Sequence, residues 1–164
     1  MNPIKLKVGV IIEKGDSILL IKEKYIRGSA HKWNMITGGW EESDGDIKNT
    51  AIRETKEETG LNIKIKRLVQ ITQVQYPDPE KTKRQFFFVA DAQSDEVCLP
   101  SKEDQAELNE SIIDYKWFEK DEILRMPDEE FVTGTVAEVS KEYIRKPEGM
   151  SAGVIKYLDP EIVY

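Results

Sequence analysis

"GGWEESDGDIKNTAIRETKEETGL", Gly38 to Leu61, decides how this chain of 164 residues is read. Its spacing predicts a helix from Asp46 to Thr59. Ser43 and Asp46 stand at capping-box distance, Asp44 is a second candidate cap, and Gly60 falls where a left-handed residue ends a helix. On that helix Ile47, Ala51, Glu54, Glu58 and then Leu61 form one stripe. Its first members are the kind a helix buries against a sheet, so the glutamates that continue it should turn inward.

A solvated helix neutralises its acids with Lys or Arg three or four positions away. Glu54 has Thr50, Ala51, Glu57 and Glu58 at those positions, and Glu58 has Glu54, Thr55, Leu61 and Asn62. Only Glu57 finds a cation there, Arg53. Acids gathered near a core cost several kilocalories per mole per ion unless a counter-charge joins them. With no Cys or His in the stretch, all-oxygen ligands point to magnesium or manganese. Gly38 and Gly39, at the end of a short strand, offer a bare carbonyl as a further ligand and a close approach for phosphates. The competing readings are a solvated charged face and a structural acidic helix with no metal.

Outward from this stretch the pattern alternates. Leu6 to Ile12 and Ser17 to Ile21 read as a hairpin around Lys14-Gly15-Asp16, and Asn34-Met35-Ile36 as a short strand after a polar connection from Tyr25 to Trp33. "LNIKIKRLVQITQVQY", a turn from Tyr76 to Lys81 and "RQFFFVADA" form a second strand pair. The acidic stretch "PSKEDQAELNES" leads to a strand from Ile112 to Phe118. Val132, Val136, Val139 and Tyr143 mark an amphipathic helix, and the tail from about residue 147 has no assigned structure. The order β-β-β-α-β-β-β-α implies a mixed sheet with helices on its faces, in a single domain over 1–164.

Composition narrows the function. A formal charge of -7 argues against a protein that tracks a nucleic-acid polymer, which needs a basic surface. No apolar run spans a bilayer and no secretory cleavage pattern follows the N-terminus, so the expectation is a cytoplasmic protein with no membrane partner. Cys98, the single cysteine, reads as a plain apolar position. A homodimer is compatible with the sequence.

The stretch resembles the Nudix box of Nudix hydrolases: Gly, five residues, Glu, seven residues, Arg-Glu, an aliphatic, any residue, Glu-Glu, any residue, Gly, an aliphatic. Gly39, Arg53-Glu54, Glu57-Glu58, Gly60 and Leu61 match at the right spacing. Gly45 replaces the first Glu and Thr55 an aliphatic residue. The resemblance implies that the missing Glu orients the Arg, a task open to Glu41, Glu42, Asp44 or Asp46. It also implies an α/β/α sandwich with a mixed sheet and hydrolysis of a nucleoside diphosphate linked to another moiety. Magnesium or manganese would be held by Glu54, Glu57, Glu58 and the Gly39 carbonyl, with Arg53 holding a glutamate and Glu54 as the candidate base. Trp33, Trp40, Tyr25 and Tyr76 are candidate stacking residues; Arg27, Arg84 and Lys24 are candidate phosphate contacts. His31 is a further candidate. Gly45 motivates an alternative, a nucleotide-binding or regulatory module that has lost turnover.

Overall fold

A computed structural model of the protein describes residues 4–24, 30–74, 82–108 and 111–148, and the backbone of 155–158. In chain order the elements are β1 (Lys5–Lys14), β2 (Ser17–Lys24), β3 (His31–Asn34), β4 (Ile36–Gly39), α1 (Ile47–Thr59), β5 (Ile63–Val74) and β6 (Lys83–Ala92). Then come α2 (Lys102–Leu108), β7 (Ile112–Glu119), α3 (Lys120–Arg125), α4 (Gly134–Arg145) and β8 (Ile155–Leu158).

The strands make one eight-stranded sheet. It is mixed: β1 runs parallel to β6 and β5 parallel to β8, while the other pairs are antiparallel. Alternation along β1 sends side chains to two cores. Val8, Val10 and Ile12 pack with Ala51 of α1 and with Leu61 on one face; Ile11 joins Val136, Val139 and Tyr143 of α4 on the other. The expected α/β/α sandwich is therefore the observed architecture.

The site is positioned by a split in the sheet. β2 pairs with β1 only where Ser17–Leu19 meets Ile12–Lys14. Beyond that the two strands part, and the chain between them lines both inner edges. β3 follows β2, with Asn34 opposite Ile21, and β4 follows β1, with Gly39 opposite Lys7. Met35, fully buried, is the bend between them. The single strand read at Asn34–Ile36 is thus two strands on diverging sheet halves.

Four further differences follow. The acidic connection contains α2, closed by Ser101, whose hydroxyl accepts from the Asp104 amide at 3.1 Å; a seven-residue helix carries too few apolar positions to show a stripe. β7 runs straight into α3, where a capping box between Glu119 and Glu122 starts the helix. The tail adds β8, whose Ile155 stands opposite Ile71 of β5. Cys98 is exposed, contrary to the apolar reading; its amide caps the Thr59 carbonyl of α1 at 2.9 Å.

Candidate active site

Helix α1 begins at Asp46, whose side chain accepts from the Lys48 amide at 2.8 Å, and stops at Gly60, left-handed at φ 70°. Ser43 takes no part in this cap; the capping box lies one turn earlier, between Glu41 and Asp44 in the 3-10 turn Glu42–Asp44. The inward stripe holds as read: Ala51, Glu54, Glu58 and Leu61 are all buried, with Glu54 7% and Glu58 4% exposed. Glu54 lies over the Gly38 backbone, where any Cβ would collide with its carboxyl. Glycine at 38 is what allows helix and strand to approach so closely.

One guanidinium ties the site together. Arg53 Nε donates to Asp44 Oδ1 at 2.8 Å and Nη2 to Asp44 Oδ2 at 3.0 Å, a bidentate pair. Nη1 donates to Glu54 Oε1 at 3.0 Å and to Glu57 Oε2 at 2.9 Å, and Nη2 also reaches the Gly39 carbonyl at 2.9 Å. The reading of Glu54 as unpaired is corrected here: its cation is its own neighbour, a contact outside the three-and-four rule. One positive group against the three carboxylates it touches, Asp44, Glu54 and Glu57, still leaves a formal excess of two negative charges.

Asp44 stands where the resemblance wanted the missing first Glu. Thr50 Oγ1 donates to it at 2.9 Å and the Glu41 amide at 3.0 Å, so its oxygens are fully engaged. Gly45, at φ 69°, turns the chain so that the residue before it faces Arg53; side chains rarely take that conformation. The Arg53 guanidinium holds the Asp44 carboxyl far below the usual carboxylate range. Glu54 moves the other way: burial raises it, against the opposing pull of Arg53.

Sequence reasoning missed Lys7, because a lone lysine in an alternating strand carries no signal until its register is known. It is half-buried opposite Gly39. Burial and Lys83 push its ammonium below the ordinary value, while Glu54, Glu23 and Glu58 pull it back. Glu23 is raised by burial, with Asn34 and Lys7 opposing.

Of the candidate substrate contacts, Trp40 is 38% exposed directly after Gly39, its amide donating to the Leu6 carbonyl at 3.0 Å. Trp33 packs edge-on against Phe118, ring centroids 4.8 Å apart, under the Lys22 ammonium; these are packing contacts. Arg84 is exposed and donates to Gln73 Oε1 at 3.2 Å. His31 is exposed on β3. Lys24, at the end of β2, is likewise exposed. Arg27, Tyr25 and Tyr76 lie outside the described residues.

The donors around Gly39 are all oxygen, the set that magnesium or manganese takes, and nothing lies within 4 Å of where a Gly39 Cβ would be. Among the described residues no three His, Cys, Asp or Glu converge as a metal-holding group; Arg53 gathers Glu54 and Glu57 instead. The donor chemistry fits a hard divalent cation.

The chain matches the NUDIX domain family model over residues 3–138. No curated protein matches it in sequence. A Nudix hydrolase from Nitrosomonas europaea has the same fold with a TM-score of 0.74 at 21% identity, covering 97% of this chain and 80% of that one. A second structure of a Nudix hydrolase from that organism gives 0.69 at 25% identity, covering 96% and 99%. An ADP-ribose pyrophosphatase from Streptococcus suis gives 0.61 at 20% identity, covering 95% and 100%. No helix among the described residues is long and apolar enough to cross a membrane. With the family match running across most of its length, the chain belongs to the Nudix hydrolase family.

Proposed function

We propose that this protein is a magnesium- or manganese-dependent pyrophosphohydrolase acting on a nucleoside diphosphate linked to another moiety. Nucleotide sugars, ADP-ribose, dinucleoside polyphosphates and modified nucleoside triphosphates are its candidate substrates. The observation that carries the reading is the Arg53 hub, which brings Glu54, Glu57 and the Gly39 carbonyl together beside an open strand end.

Glu54, Glu57, Glu58 and the Gly39 carbonyl would hold the ion. When bound it supplies positive charge to the pyrophosphate oxygens and makes coordinated water more acidic. The chain's own groups do the rest. Gly39, with open space beside it, lets phosphates come close to the backbone, and Lys7 offers an ammonium opposite Gly39. Glu54, raised by burial, is suited to take the proton from the attacking water. Arg53 and Asp44 fix the orientation of the glutamates.

Asp44 also bears on the alternative of a module without turnover, whose motive was the acid missing at Gly45. The pairing of the Asp44 carboxylate with Arg53, from one residue earlier, supports turnover over that alternative. The test is a screen of the four substrate classes with magnesium or manganese, reading released phosphate species. Turnover of at least one class is expected, with a loss of about 100-fold or more in Glu57→Gln and Glu58→Gln at unchanged far-UV circular dichroism. Silence across the panel, or wild-type rates in both variants, would remove the assignment.

A further inference from the structure

Three threonines of α1, Thr50, Thr55 and Thr59, are fully buried. A threonine inside a helix ordinarily turns its hydroxyl back onto the carbonyl four residues earlier. Thr55 donates in this way to the Ala51 carbonyl at 2.7 Å, and Thr59 to the Thr55 carbonyl at 2.6 Å. Thr50 departs from the pattern. Its hydroxyl leaves the helix and donates to Asp44 Oδ2 at 2.9 Å. Asn49 reaches the same residue from the helix surface, its Nδ2 donating to the Asp44 carbonyl at 2.9 Å. The first turn of α1 thus grips both the side chain and the main chain of Asp44.

The place of Asp44 makes such a grip necessary. Its 3-10 turn, Glu42–Asp44, has no apolar residue, so core packing does not locate it. Left to itself, a carboxylate on that turn is free to swing, and Arg53 would swing with it. The guanidinium is planar and its donors have fixed directions. Nε and Nη2 take Asp44 while Nη1 takes Glu54 and Glu57, so the orientation of the Asp44 carboxylate sets the direction from which Nη1 meets the two glutamates. Thr50 ties that carboxylate to the helix that carries those glutamates. Turn and helix then hold one alignment.

Resting on the hydrolase reading, we propose that Thr50 and Asn49 are positioning residues for hydrolysis, acting through Asp44 and Arg53 on the direction of Glu54 and Glu57. Thr50→Val keeps the branched shape and removes the donor; Thr50→Ser keeps the donor. Asn49 is exposed, so Asn49→Ala covers the case that Thr50→Val fails to fold.

Three measurements on the whole chain test this. They are the exchange rate of the Arg53 Nε–H in nitrogen-15 spectra, assigned by its loss in Arg53→Lys, magnesium affinity by titration calorimetry, and kcat/KM on the best substrate of the panel. Thr50→Val should speed the exchange and lower both magnesium affinity and kcat/KM by roughly 3- to 10-fold, less than the loss of a group that itself holds a ligand. Asn49→Ala should move all three the same way, and Thr50→Ser should restore them. Beside Asp44→Ala, Thr50→Val should change nothing further, because its path runs through the missing carboxylate; a merely structural role would add its effect in both backgrounds. The proposal falls if neither Thr50→Val nor Asn49→Ala alters the exchange, if Thr50→Ser behaves like Thr50→Val, or if the effect persists beside Asp44→Ala. It also falls if the exchange changes while the magnesium affinity and kcat/KM of an active enzyme do not. A wild type that hydrolyses nothing and binds no magnesium, with an Arg53 signal that still answers to Thr50, would overturn the hydrolase reading and leave the positioning standing. Hydrolysis with an unmoved signal would do the reverse.

Discussion

Asp44 pairs with Arg53 from the position before the one where the family pattern carries its first Glu. Both its oxygens are committed to Arg53, and Arg53 in turn aims Glu54 and Glu57. Where the glutamates hold the ion as proposed, Asp44→Asn should therefore lower kcat/KM about 10- to 100-fold, the usual effect of removing a group that orients metal ligands. The same variant has a pH signature. Because Asp44 is held below its ordinary pKa, the folded chain binds fewer protons than the unfolded chain just below pH 4. Its contribution to stability is complete above the unfolded value of about 3.9 and is lost as pH falls toward the folded one. Melting curves between pH 2.5 and 7 should show that acid limb in the wild type and a shallower one in Asp44→Asn. None of this was legible in the sequence, where four acids competed for the role. The choice was made by the positive φ at Gly45 and a contact spanning nine residues.

Among the elements, the end of β1 away from Gly39 carries a buried acid of a different kind. Glu13 is 6% exposed. Burial alone would raise its carboxyl, but hydrogen bonds from Lys120, Tyr143 and Lys66 outweigh this and lower it. Lys120 of α3 approaches at 3.1 Å and Lys66 of β5 at 3.3 Å, and burial together with Glu13 raises the Tyr143 hydroxyl of α4. One carboxylate thus fastens two helices and an outer strand to the central strand. Glu13→Ala should cost about 1–3 kcal/mol, since it leaves several donors without their acceptor, and should not change kcat because the cluster lies at the far end of β1. Chemical denaturation and steady-state rates together check both halves. The strands were legible because one face of each alternates, and α1 because its closing Gly60 and its stripe agree. β3 and β4 merged in the reading because Asn34, Met35 and Ile36 are all buried, which erases the alternation that would have shown the bend. Lys7 gained meaning only when the register of β1 and β4 set it opposite Gly39.

For the molecule as a whole, the surplus of negative charge at the site should appear as metal-dependent stability. An ion bound by the folded chain alone stabilises it by mass action, about 2.7 kcal/mol at a hundred times Kd. For a chain of this size that is a rise of roughly 5–10 °C in melting temperature. Magnesium titrated in differential scanning fluorimetry should give such a rise in the wild type and little in Glu58→Gln; an equal rise in both would place the ion elsewhere. The mixed sheet with helices on its faces was readable from element order and the sandwich from the family resemblance, whereas the tail's strand was not: four residues, pairing only with β5, leave too short a period to see. The turn at Gly45 has a final consequence for anyone restoring the consensus. A glutamate engineered there would inherit a backbone shape that disfavours it, and it would compete with an aspartate already in the berth. The change that looks like a repair would thus be the damaging one in this chain.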